Sequence, residues 1–102
     1  RATKRIIGRL ANRTEIAHTI PKADRLALDE LTAREREVLV AIGRGWSNAE
    51  IAERMFISMP TVKTHVGRIL AKTHSRDRVH AALFAYRTGL VDRADLLTHP
   101  EV

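Results

Sequence analysis

The chain has no cysteine, only three prolines, and four aromatic residues (one Trp, one Tyr, two Phe) in 102 positions. Without cysteine there is no disulfide framework, no thiolate metal site and no thiol nucleophile. The same absence fits a reducing compartment. No apolar run approaches the roughly 18 residues needed to span a bilayer. No secretory signal pattern opens the sequence, so the expected location is cytoplasmic and no membrane partner is expected. The first residue is Arg1 rather than Met, so the chain is expected to be a piece of a longer protein. There is no internal repeat and no low-complexity segment, and nothing reads as a strand.

Enzyme parts are also missing. No phosphate-cradling Gly loop, no carboxylate pair in an apolar setting and no nucleophile–base set can be assembled, so no enzymatic activity and no cofactor are expected. The five histidines (His18, His65, His74, His80, His99) show no metal-ligand spacing, so no metal is expected either.

What is present is 44% apolar residues and a formal charge of +6. That is enough apolar material for one small core. The excess charge sits mainly in residues 1–25, which hold seven basic and two acidic residues. A second imbalance is local: residues 54–88 carry Arg54, Lys63, Arg68, Lys72, Arg76, Arg78 and Arg87 against Asp77 alone. A domain with one basic end can turn that end toward phosphates.

Along the chain, residues 3–12 put Ile6, Ile7, Leu10 and Ala11 on one stripe, which predicts a short amphipathic helix. Residues 13–30, with Pro21 and scattered charge, read as a linker with some helix. From Leu31 the signals sharpen. Thr32 and Glu35 form a capping box, and Val38, Leu39 and Ile42 follow at helical spacing. Gly43 and Gly45 are expected to end that helix. Ser47 and Glu50 repeat the box before a two-turn helix with Ile51, Ala52 and Met55 inward. Phe56 and Ile57 form the connection, both expected to be buried. Ser58 caps the next helix, whose buried stripe is Val62, Val66, Ile69 and Leu70. Asp77 caps a last helix through about Thr88, with Val79, Ala82, Leu83 and Tyr86 expected inward and Gly89 stopping it. Leu90 and Val91 are expected to fold back onto the core. Trp46 is expected to be a core plug.

A short helix, a tight turn and a helix with a basic outer face is the helix-turn-helix arrangement. The second helix of such a pair must be apolar inside and polar outside to enter a major groove about 12 Å wide. The outward set here is Thr61, Lys63, Thr64, Gly67, Arg68, Ala71 and Lys72. Lys donates to guanine, and a Thr methyl touches a thymine methyl. Thr61, Arg68 and Lys72 suit phosphates, with His65 beside that face. Ser47, Asn48 and Ser58 open the two helices, where free amides attract anions. Spacing alone leaves a competing explanation open, because a solvated polar helix face has the same pattern.

The segments "LTAREREVLVAIGRGWSNAEIAERMFISMPTVKTHVGRILAK" and "SRDRVHAALFAYRTGLV" together resemble the LuxR/NarL/FixJ family of DNA-binding domains. The likeness runs from about Leu28 to Val91 through "LTxRExEVL", "NxEIAExxxIS", "TVKTHV" and "AYxTGLV", in order. It implies an all-α four-helix bundle with a helix-turn-helix and a role in transcription regulation, as the output domain of a two-component response regulator. Lys63 and Thr64 match positions that touch base edges. Thr61, Arg68 and Lys72 match positions that face the backbone. Gly67 falls at a base-reading position where the family often has a polar residue, so a base contact is lost there. Thr73 and His74 stand where Leu-Gly is usual, which predicts an altered helix end. The N-terminal stripe resembles the linker helix after a receiver domain, implying an upstream phosphorylatable receiver that this chain lacks.

The organisation expected is a linker segment at 1–27, a DNA-binding domain at 28–91 with its helix-turn-helix at about 48–67, and a C-terminal tail at 92–102. Ala81, Phe84 and Ala85 lie opposite Val79 and Leu83 on the last helix of the bundle. They are expected to form the seam of a homodimer on double-stranded DNA. Two competitors remain: a sigma-factor-like promoter-reading region, against which "TVKTH" and "AYxTGLV" argue, and a helical protein-interaction module using Phe84 and the basic N-terminal helix.

Overall fold

The computed structural model describes residues 20–92; the stripe at 3–12 and the tail beyond 92 lie outside the described residues. Five helices follow one another: α1 Lys22–Glu30, α2 Ala33–Gly43, α3 Asn48–Met55, α4 Met59–Lys72 and α5 Arg78–Arg87, with no strand among the described residues. Short polar residues set most helix starts. Thr32 and Ser47 each complete a capping box, with Glu35 and Glu50 as the returning carboxylates. Ser58 accepts from the amide of Thr61, and Asp77 from that of His80. Each such cap contributes about 0.5–2 kcal/mol.

The α2 helix is the centre of the bundle and packs against both α5 and α4. Val38, Leu39, Ile51, Val62, Ile69 and Phe84 are all fully buried. Gly43 is the last residue of α2, as expected, but packing rather than a turn requires a glycine there. A Cβ there would come within 2.7 Å of Val91 Cγ2 and 3.2 Å of Ala85 Cβ. Gly43 is therefore a close-approach glycine, and the turn belongs to Gly45, whose φ is 92°.

The α1 helix crosses the boundary expected at residues 27 and 28. It belongs to the bundle: Ala27 and Leu31 are buried. Arg87 of α5 also grips Asp24 with both ends of its guanidinium, at 2.7 and 3.1 Å. That bond, and the positive charge behind it, hold the Asp24 carboxyl below its ordinary range against the opposing effect of burial.

The buried face of α5 is rotated from the one expected: Ala82 and Tyr86 pack partly buried against the core as expected, but Val79 and Leu83 do not. Ala81, Phe84 and Ala85 are fully buried, whereas Val79 is 65% and Leu83 51% exposed. Nearly every position from Val79 to Tyr86 is apolar, so periodicity does not choose between the two faces. Packing does. The alanines are small enough to let α5 approach α2 near Gly43, and Phe84 fills the space between. Arg87 then lies 5.1 Å from the Phe84 ring centroid. Ala81, Phe84 and Ala85 are core residues with no surface to offer a partner, which corrects the expected seam.

Candidate nucleic-acid interface

The α3 and α4 helices are joined by three residues, Phe56 to Ser58. The turn closes because Phe56 adopts the left-handed conformation, φ 57° and ψ 46°, as the C-cap of α3. The amide of Ile57 then donates back to the Ala52 carbonyl at 3.0 Å. Ile57 packs against the core, but Phe56 is 92% exposed. Burial of both was expected. The left-handed residue directs its own side chain outward and only the next one inward. The end of α3 is further held by Arg34, whose guanidinium donates to the Met55 carbonyl at 2.9 Å.

Along α4 the outward residues are Thr61, Lys63, Thr64, Gly67, Arg68 and Ala71, all exposed. No hydrogen bond or ion pair within the described residues engages Lys63 or Arg68. Both charges are thus available to a partner. Thr64 donates its hydroxyl proton to the Pro60 carbonyl at 3.0 Å, which fixes its rotamer and leaves its methyl and oxygen lone pairs outward. Thr61 and Ser58 share a hydroxyl contact of 2.9 Å at the start of the helix. The first turn of α4 holds no acid, whereas that of α3 holds Glu50. The start of α4 is the more open of the two to an anion.

Three expected phosphate contacts sit differently. Lys72 is half-buried, and its Nζ donates to Glu35 Oε1 at 2.7 Å. Glu35 is the returning carboxylate of the α2 capping box and only 2% exposed. A buried carboxylate requires a counter-charge, and Lys72 supplies it. Burial pushes the Glu35 carboxyl up, but the bonds from Lys72 and Thr32 and the ammonium charge outweigh this and hold it below its ordinary value. Lys72 is a bolt between α4 and α2, which corrects its assignment to phosphate. His65 is half-buried, with a buried Nδ1 that has no hydrogen-bond partner among the described residues. Asn48 accepts from Arg78 through Oδ1 at 2.5 Å. The other terminal nitrogen of Arg78 donates to the Trp46 carbonyl, so one guanidinium ties the start of α3 to α5. Ser47 is exposed, and its hydroxyl oxygen accepts from the Glu50 amide at 3.1 Å.

Trp46 is half-buried against the core, with Arg54 stacked 5.1 Å from its ring centroid. Thr73 is buried and donates to the Ile69 carbonyl at 2.8 Å. His74 takes the left-handed turn at φ 55°. Arg34 was not singled out from the sequence, and Arg78 was read only as part of the basic cluster at residues 54–88. Each bonds a residue more than 20 positions away, and no local pattern marks such a contact. Among the described residues no cluster of His, Asp or Glu could hold a metal ion, and no helix is long and apolar enough to cross a membrane.

The sequence has clear relatives. YxjL of Bacillus subtilis, described as an uncharacterized transcriptional regulatory protein, is 49% identical over 69 residues, which is 68% of this chain and 31% of that protein. The transcriptional regulatory protein LiaR of Bacillus subtilis is 47% identical over 64 residues, 63% of this chain and 30% of LiaR. The response regulator protein VraR of Staphylococcus aureus is 46% identical over 61 residues, 60% of this chain and 29% of VraR. The chain spans less than a third of the length of these relatives. Residues 29–85, from the last two residues of α1 through most of α5, match the family described as bacterial regulatory proteins, luxR family. The chain belongs to that family, as a LuxR-type helix-turn-helix DNA-binding domain.

Proposed function

We propose that this domain regulates transcription by placing α4 in the major groove of a specific operator. The observation that carries this reading is the pair of exposed cations Lys63 and Arg68, unengaged among the described residues, at the two edges of the outward face of α4. Lys63 and Thr64 read base edges. Ser47 donates to a phosphate, as does whichever hydroxyl of the Ser58–Thr61 pair keeps its proton free, and Arg68 pairs with a phosphate on the flank. The capping boxes and the Arg78 and Lys72 bonds fix the angle between α3 and α4 before DNA arrives, so little conformational freedom is lost on binding.

The likeness to VraR, named a response regulator, supports an output domain whose receiver lies upstream. Two copies joined through α5 would read inverted half-sites about one helical turn apart. The seam now falls on exposed Val79 and Leu83, one turn apart on α5. The test is selection from a randomised duplex library at two salt concentrations. Enrichment of an inverted repeat, with affinity falling steeply as salt rises, is the expected result. Salt-sensitive binding with no enriched motif would reject base reading, and no binding at low salt would reject the DNA role.

A further inference from the structure

Three of the four described glycines have a reason in the fold. Gly43 is closed in by Val91 and Ala85. Gly45 and Gly89 have φ of 92° and 80°. Gly67 has neither reason. It lies inside the 14-residue helix α4 with helical backbone, and a Cβ built on it meets nothing within 4 Å. Glycine there weakens the helix relative to alanine by leaving the unfolded chain more freedom. The fold gains nothing in return.

The position is on the outward face, one turn after Lys63 and Thr64 and one turn before Ala71. A helix with its side chains is about 10–12 Å across and the major groove about 12 Å wide, so any side chain at the centre of the inserted face holds the backbone away from the bases. We propose that Gly67 is the point of closest approach, where the α4 backbone itself meets the DNA and so lets Lys63 and Thr64 reach base edges. Gly67 is then a specificity-determining residue that acts by its lack of a side chain, rather than a position where a contact has been lost. This rests on the DNA-reading role of α4 proposed above.

The experiment compares the unsubstituted chain with Gly67→Ala and Gly67→Lys. Each is titrated against the duplex most enriched from the library by the unsubstituted chain, or against a random duplex if none is enriched. Thermal unfolding is followed in parallel. Gly67→Ala is expected to raise Tm by a few degrees and yet weaken binding about tenfold or more. Gly67→Lys is expected to weaken it further despite the added positive charge. Equal or tighter binding by Gly67→Ala, or tighter binding by Gly67→Lys, would show an open slot and overturn the inference while leaving the DNA role intact. Failure of the unsubstituted chain to bind either duplex would overturn both.

Discussion

Replacing Lys72 by Met separates two roles for that side chain. The substitution keeps the apolar stem and removes the ammonium. Glu35, 2% exposed, then retains the Thr32 amide at 2.9 Å but loses the Lys72 contact at 2.7 Å. Removing one partner of a fully buried pair costs about 3–5 kcal/mol. The Lys72 side chain is 30% exposed, so water already shares its load, and the expected loss is about 1.5–3 kcal/mol at pH 7. The pH dependence follows from the sign of the shift. In the native protein the Glu35 carboxyl is held below its ordinary 4.5. Its contribution is therefore complete above that value and fades as pH falls through the lower folded value. In Lys72→Met the ammonium is gone while burial and the Thr32 bonds remain, so the folded carboxyl rises from where Lys72 holds it. The variant's deficit is then greatest at neutral pH and shrinks as the carboxyl takes up a proton. Urea unfolding followed by circular dichroism at pH 7, 5.5 and 4 measures that gap directly. Asp24 and Asp77 titrate in both proteins and cancel in the difference. A gap that stays constant across the three pH values would refute the buried pair. The same variant reports on DNA: with Lys72 turned inward, the slope of log K against log salt stays as it was, whereas a fall of about 1 in its magnitude would return Lys72 to the phosphate contacts.

Phe84→Ala is expected to destabilise the fold by about 3–5 kcal/mol. Leu83→Arg is expected to change stability by less than about 0.5 kcal/mol while abolishing the preference for paired half-sites. Gel-shift titration with one and two half-sites, alongside urea unfolding, checks both, and a large stability loss from Leu83→Arg would reverse the assigned register of α5. Lys63→Ala should cost about 1–3 kcal/mol on the enriched duplex and much less on random sequence. Arg68→Ala should weaken both alike and reduce the salt slope by about 1; identical behaviour of the two variants would remove the division between base and phosphate contacts.

The helix starts were legible because their chemistry is local. Thr32 with Glu35, Ser47 with Glu50, and Ser58 and Asp77 each satisfy amides within three residues, and the structure shows all four caps. The buried stripe of α4 was legible for a related reason. Polar or small residues occupy most of the rest of its surface, so only one face can be buried. The α1 helix was less visible. It begins after Pro21 with no side-chain cap, and its place is secured by Arg87, 63 residues from Asp24.

The two errors at the interface share one cause. Periodicity states which residues lie on a common face, but not whether that face meets water or protein. On α5 both faces are apolar, and the choice fell to Gly43 and Ala85, whose small size lets α2 and α5 close together. On α4 the chemistry of Lys72 fits a phosphate and a buried carboxylate equally well. What turns it inward is Glu35, which its own capping box had already drawn out of water 37 residues earlier. A cap legible at one helix start thus created the demand that removed a cation from the face of another. Of the long basic side chains assigned to the reading face, the two proposed for DNA are those with no ion pair among the described residues, Lys63 and Arg68.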